Sequence, residues 1–96
     1  MTEEEISEKL KSELQTVEWE ALESHLKRDG IILVDPTLDI IEIGLYLAMD
    51  KVDEVKSLMN SQKIIKVTDE MASEWKKERK FVFLIIQPFV IVQAMQ

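Results

Sequence analysis

The fold of this chain is decided by the stretch Phe81-Val82-Phe83-Leu84-Ile85-Ile86-Gln87-Pro88-Phe89-Val90-Ile91-Val92, which is apolar at every position except Gln87 and Pro88. Residues 81–96 carry no charge, although 32% of the chain is charged. β-Branched and aromatic residues dominate the stretch, as is typical of strands that are buried on both faces of a sheet. The stretch therefore predicts the centre of the core.

The length of this stretch predicts a bend within it. As one straight strand it would span ~40 Å, whereas a domain of this size is roughly 32 Å across. The strand must therefore bend at Gln87-Pro88 or reach beyond its own domain. Because proline cannot donate to a β-ladder, position 88 is expected to be a bulge, a bend or an edge site.

Size and composition limit the class of protein. The chain has 96 residues, a net charge of −7 and no cysteine. This predicts one domain over residues 1–96 and excludes disulfides, thiolate zinc sites and cysteine nucleophiles. The N-terminus is acidic, and no apolar run approaches the ~20 residues of a membrane span. We therefore expect a soluble cytoplasmic protein that enters no membrane and, lacking a basic footprint, binds no nucleic acid.

The first third of the chain has helical periodicity. Thr2 and Glu5 form a capping-box pattern, which predicts a first helix over about residues 3–15. The period continues through Trp19, and Thr16 could cap a second helix, so the pattern leaves open whether residues 3–28 form one helix or two. Gly30 is expected to end this region in the left-handed conformation.

The middle of the chain alternates apolar runs with cap residues. Residues 31–34 predict a buried strand, and Asp35-Pro36 is a favourable helix start. We expect a helix over residues 38–49, although its isoleucines leave a strand open. Asp50 is expected to cap a further helix that ends near residues 60–62. A connector or very short strand follows over residues 63–67.

A last helix is predicted to begin after Thr68, with acidic residues in its first turn and with Met71 and Trp75 facing inward. The only basic cluster, Lys76-Lys77-Glu78-Arg79-Lys80, is expected to close this helix. Acid at the front and base at the back compensate the helix dipole, which explains the cluster without a ligand.

These elements predict an α+β fold, with four or five helices packed on a small, mostly antiparallel sheet. The sheet is expected to contain residues 31–34 and a bent C-terminal strand pair within residues 81–92. So small a sheet leaves open apolar edges, which are usually covered or paired with a second copy. We therefore expect a homodimer, with Pro88, Phe89 and Ile91 in the core or at the dimer contact.

Candidate ligand-binding residues are few. Asp35, Asp39 and Glu42 lie among apolar residues, and three oxygens near a helix start could hold a divalent cation. An oxygen-only site needs more ligands, and each residue also suits a cap or a surface position, so no metal and no cofactor is predicted. Gln87 joins the candidates because an amide within an apolar run must bond to backbone groups or to a partner.

Other residues that could carry chemistry have ordinary structural explanations. His25 is the sole histidine, and no nucleophile motif surrounds it, so a half-buried or surface position is expected. Tyr46 is expected in the core with its hydroxyl at the rim. The tryptophans and methionines could line a pliable groove, but at helical spacing they are more typical of a core.

Several blocks of this chain resemble a known family. They are Trp19, Lys27-Arg28 with Gly30, Ile32-Leu33-Val34-Asp35-Pro36 with Leu38-Asp39, and Phe83-Leu84-Ile85-Ile86-Gln87-Pro88-Phe89-Val90. Together they are similar to the small bacterial proteins of domain of unknown function 2288. The resemblance implies a short single-domain protein and supplies no functional residues.

The sequence therefore leans away from an enzyme without excluding one. The leading interpretation is a non-enzymatic homodimeric module with an interaction or regulatory role, which could also bind another protein. The alternative is a small-molecule- or metal-binding enzyme that uses Asp35, Asp39 and Glu42.

Overall fold

The computed structural model describes residues 2–28 and 30–95. Within these ranges the helices are α1 (Glu3–Glu13), α2 (Trp19–Arg28), α3 (Ile40–Ala48), α4 (Val52–Asn60) and α5 (Asp69–Ser73). The strands are β1 (Gln15–Glu18), β2 (Ile31–Val34), β3 (Ile64–Lys66), β4 (Lys80–Ile86) and β5 (Phe89–Ala94).

The C-terminal stretch folds into the hairpin of β4 and β5. The two strands pair antiparallel from Phe81↔Ala94 to Ile86↔Phe89. Gln87 and Pro88 form the turn between them and are joined by a cis peptide bond. The predicted bend is therefore confirmed, and the proline lies where the ladder needs no donor.

The sheet has the strand order β1-β4-β5-β2-β3. β2 and β5 run parallel, from Ile31↔Val90 to Leu33↔Val92, and the other neighbouring pairs are antiparallel. The α+β class and the mostly antiparallel sheet are confirmed. β1 and β3 occupy the outer positions of the sheet.

The sheet is covered on both faces, and side-chain alternation divides its apolar residues between two clusters. Ile32 and Ile91 face a cluster with α1 and α3, whereas Ile31 and Val90 face a cluster with α2 and α5. All four side chains are at most 5% exposed. This explains why both strands read as continuous apolar runs.

The N-terminal third contains two helices separated by a strand that the sequence did not predict. β1 pairs with residues 80–83 of β4, and the Trp19 amide that starts α2 donates to the Arg79 carbonyl at 2.7 Å. These partners are distant in sequence, so the local helical period does not reveal the strand. Gly30 has φ +82° and confirms the predicted left-handed position.

The expected cap at Asp35 is wrong. Asp39 is the N-cap of α3, and its Oδ1 accepts from the Ile41 amide at 2.9 Å. The Asp35 carboxylate instead accepts from the amide and hydroxyl of Thr37. Asp35-Pro36 thus forms a turn before the helix, although the helix expected within residues 38–49 is present.

Two further boundaries differ from expectation. Asp50 adopts the left-handed region at φ 54° and does not cap α4, whose N-cap is Lys51 with no side-chain hydrogen bond. Thr68 does cap α5, accepting from the Met71 amide. That helix ends at Ser73, however, so the basic cluster over residues 76–80 follows the helix and does not close it.

Candidate functional site

A cleft of about 500 Å³ opens where the carboxyl ends of the parallel strands β2 and β5 meet. Ligands of open α/β sheets often bind outside such ends. The apolar part of the lining comes from Leu33, Val34, Pro36, Ile65, Met71, Trp75, Ala94 and Met95. Charged residues that are exposed or half-buried form its rim, namely Asp35, Lys63, Glu74 and Arg79. The cleft has the size of a small-molecule site.

The wall formed by Trp75 is held in place by an aromatic cluster. The Trp75 ring packs edge-on against Trp19, with 4.7 Å between centroids, and lies 5.1 Å from Phe81. The Arg79 guanidinium carbon sits 5.4 Å from the centroid of the Trp75 ring and 5.1 Å from that of Phe81. Such cation–π contacts orient the arginine at the cleft rim.

The loop between β2 and α3 forms another part of the rim. The Asp35 carboxylate accepts from Thr37 Oγ1 at 2.6 Å and from the Thr37 amide at 2.8 Å. Because these bonds favour the charged form, they lower the pKa of Asp35, and nearby Lys63 lowers this pKa further. Asp35 therefore stays ionised at neutral pH.

Gln93 fixes the same loop from the sheet. Its Nε2 donates to the carbonyl oxygens of Asp35, at 2.9 Å, and Leu38, at 2.7 Å. Gln93 was not among the site residues predicted from the sequence. Alternation along β5 could have revealed it, because Gln93 follows Ile91 on the same face of the strand.

The other predicted carboxylates act locally. Asp39 caps α3, and Glu42 accepts from the Tyr46 hydroxyl at 2.6 Å. This hydrogen bond raises the pKa of Tyr46. Among the residues with described positions, no group of three or more His, Asp or Glu side chains could hold a metal ion.

The remaining predicted site residues lie away from the cleft. Gln87 and Pro88 are exposed in the hairpin turn, Phe89 is 38% exposed, and Ile91 is fully buried in the core. His25 is half-buried on α2.

A second surface lies along α4 and is called here the α4 groove. It has a volume of about 250 Å³. Its apolar residues are Ile32, Leu47, Val52, Val55, Met59 and Phe89. A smaller depression that shares Ile32, Met59 and Phe89 adjoins it and adds Lys66.

A third feature is the open edge of β4. β1 pairs with residues 80–83, so residues 84–86 have β5 as their one strand partner in the described sheet. The Ile85 side chain at this edge is 45% exposed. An open, uncharged strand edge can accept another strand.

The fold and these surfaces define a small α+β protein with helices on both faces of a mixed sheet. The chain belongs to the family described as Protein of unknown function (DUF2288), whose model matches residues 5–94. The family resemblance seen in the sequence is therefore confirmed.

A solved structure shares this fold. It is the NMR solution structure of PA1075 from Pseudomonas aeruginosa, which is 25% identical, with a TM-score of 0.81. The match covers 95% of this chain and 85% of that chain. No curated protein matches the sequence significantly.

Within residues 2–28 and 30–95, none of the helices combines the length and apolar character that crossing a membrane requires.

Proposed function

We propose that this protein is a non-enzymatic interaction module that acts as a homodimer in the cytoplasm. The observation that carries the proposal is the open edge of β4 over residues 84–86. This segment, Leu84-Ile85-Ile86, is uncharged and has no strand partner beyond the end of β1 in the described sheet.

The outer strands of the sheet are protected in ways that this segment is not. β1 presents exposed Gln15, Thr16 and Glu18, and β3 is three residues long and ends at exposed Lys66. Short length and polar or charged side chains are common protections against edge-to-edge pairing. Residues 84–86 have neither a charge nor a proline, so this part of the edge favours pairing with another strand.

The geometry suits a second copy of the same chain. Two β4 edges can pair antiparallel about a two-fold axis near Ile85, which makes the contact identical on both sides and closes the assembly as a dimer. The Ile85 side chain, 45% exposed in one copy, then packs against its equivalent. Main-chain hydrogen bonds supply affinity, as in other cases of strand addition.

Sedimentation velocity tests this proposal with a matched pair of variants. Ile85 and Val52 are β-branched residues with exposures of 45% and 48%, but only Ile85 lies on the open edge. We expect wild type and Val52→Lys to sediment as dimers at micromolar concentration and Ile85→Lys as a monomer. A monomeric wild type, or an Ile85→Lys variant that remains dimeric, would contradict the proposal.

A second candidate function is small-molecule binding in the cleft, which is favoured by Trp75 and Arg79 on one wall of a 500 Å³ space. An aromatic carboxylate fits this chemistry, because a ring can pack on the apolar lining and an anion can reach Arg79 or Lys63. By contrast, Asp39 and Glu42 each bond within α3, so the metal-dependent enzyme has less support.

Thermal melting distinguishes these ideas. A ligand that binds only the folded state must raise the melting temperature. We expect a panel of aromatic carboxylates to contain compounds that stabilise wild type and have no effect on Arg79→Gln, and we expect neither Mg²⁺, Ca²⁺ nor a chelator to shift the melt. If no compound discriminates between wild type and Arg79→Gln, the cleft is not such a site.

A further inference from the structure

Exposed apolar side chains converge on the α4 groove. Val52 is 48% exposed, Met59 is 42% exposed and Phe89 is 38% exposed, and all three line this groove. A contiguous exposed apolar patch in a soluble domain marks an interaction site more often than scattered residues do. A methionine and an aromatic residue are typical of binding surfaces that adapt to a partner.

The charges around this patch are opposite to the charge of the molecule. Lys51, Lys56 and Lys66 line the groove and its adjoining depression, against one acid, Asp50. The chain as a whole carries a net charge of −7. A basic rim in an acidic protein favours a partner that brings negative charge to this place.

This rim also limits what a second copy can do here. A two-fold contact through the α4 groove would place lysines against lysines, which is unfavourable. A second copy could enter the groove only by presenting a different, acidic surface, and such a head-to-tail contact does not close as a dimer. The groove also differs from the β4 edge, because Phe89 and Ile85 project from opposite faces of the sheet by strand alternation.

We infer that the α4 groove binds an acidic amphipathic segment of another protein, whose apolar side chains cover Val52, Met59 and Phe89 while its carboxylates face the lysine rim. Helices bound in grooves present apolar anchors at intervals of three and four residues. The rim charges add specificity and accelerate association, and this part of the interaction weakens with salt.

Selection from a random peptide library displayed on phage tests this inference without a known partner. Wild-type protein is the bait, and one enriched peptide is then titrated into isotope-labelled protein and followed by NMR. We expect enriched peptides with net negative charge and apolar residues at helical spacing, and shifts centred on Val52, Met59 and Phe89. Enrichment of neutral or basic peptides, shifts elsewhere, or no enrichment would overturn the inference.

Variants separate groove binding from self-association. Val52→Lys is expected to weaken the selected peptide at least about tenfold, because a central apolar contact is lost. Lys56→Glu should weaken it too, with most of the loss seen at low salt. Ile85→Lys, on the β4 edge, should bind as wild type does, whether or not it has become monomeric. Equal affinity for wild type, Val52→Lys and Lys56→Glu would show that the peptide does not use this groove.

Discussion

Replacing Gln93 with leucine is the sharpest test of how the sheet holds the cleft rim. The Gln93 amide donates to the carbonyls of Asp35 and Leu38, at 2.9 and 2.7 Å. Leucine has a similar volume and no polar atom, so the change removes both hydrogen bonds and leaves the packing nearly intact. The β2–α3 loop then loses its tie to β5.

The size of the stability loss depends on the hydrogen bonds that each carbonyl keeps after the substitution. The Asp35 carbonyl still accepts from the Leu38 amide at 3.0 Å, whereas the Leu38 carbonyl must find water. A net hydrogen bond contributes about 1 kcal/mol, and the site is only partly buried, so we expect a loss of about 1–2 kcal/mol in the free energy of unfolding. For a chain of this length this lowers the melting temperature by roughly 5–15 °C.

Urea unfolding followed by tryptophan fluorescence measures this loss, and Gln87→Leu is the control. Gln87 is exposed in the hairpin turn, so the same substitution there should change stability by less than about 0.5 kcal/mol. Gln93→Glu adds a pH test. A carboxylate that faces two carbonyl oxygens is repelled by them, so its pKa is raised in the folded state. This variant should therefore lose stability as pH rises through that pKa. Equal effects of leucine at both positions, or none at position 93, would refute the reasoning.

Substitutions at three further positions test other parts of the structure by urea unfolding. Gly30 has φ +82° and open space around its missing Cβ, so a side chain there meets backbone strain and no steric clash. Gly30→Val should lower the free energy of unfolding by more than about 1 kcal/mol and Gly30→Asn by less, because asparagine adopts a positive φ more readily than valine. Equal losses would argue against a backbone cause. Asp39→Ala should cost about 1 kcal/mol through the lost cap of the Ile41 amide, and an unchanged midpoint would contradict that cap. The pKa of Asp35 is lowered in the folded state, so the contribution of its carboxylate to the free energy of unfolding is fully present above the unfolded pKa of about 3.9 and is lost as pH falls through the folded value. Asp35→Asn should therefore flatten the acid side of the plot of unfolding free energy against pH. An unchanged plot would contradict this.

The parts of the fold that local sequence determines could be predicted. The uncharged run over residues 81–92 is long enough to require a bend, and Gln87-Pro88 is where a ladder can do without a donor. The strand β2 could likewise be predicted from its own Ile-Ile-Leu-Val run, and the cap of α5 from Thr68. These features need no knowledge of distant partners.

The parts that depend on distant partners could not be predicted. β1 has a helical pattern and becomes a strand because residues 80–83 of β4 offer it an edge. Asp35 and Asp39 both suit a helix cap. Which of them caps α3 depends on the loop between β2 and α3, where Gln93 holds the carbonyls of Asp35 and Leu38 across 58 and 55 residues of sequence. The position of the Trp75 wall at the cleft likewise depends on a distant partner, because its ring packs edge-on against Trp19.

Amide hydrogen exchange of residues 84–86, followed at increasing protein concentration, tests the proposed homodimer most directly. If two β4 edges pair, protection of the amides within residues 84–86 that point away from β5 should rise with concentration, while protection at residues 80–83, which β1 already covers, should stay constant. Exchange at residues 84–86 that does not depend on concentration, over a range extending well above micromolar, would contradict pairing through this edge.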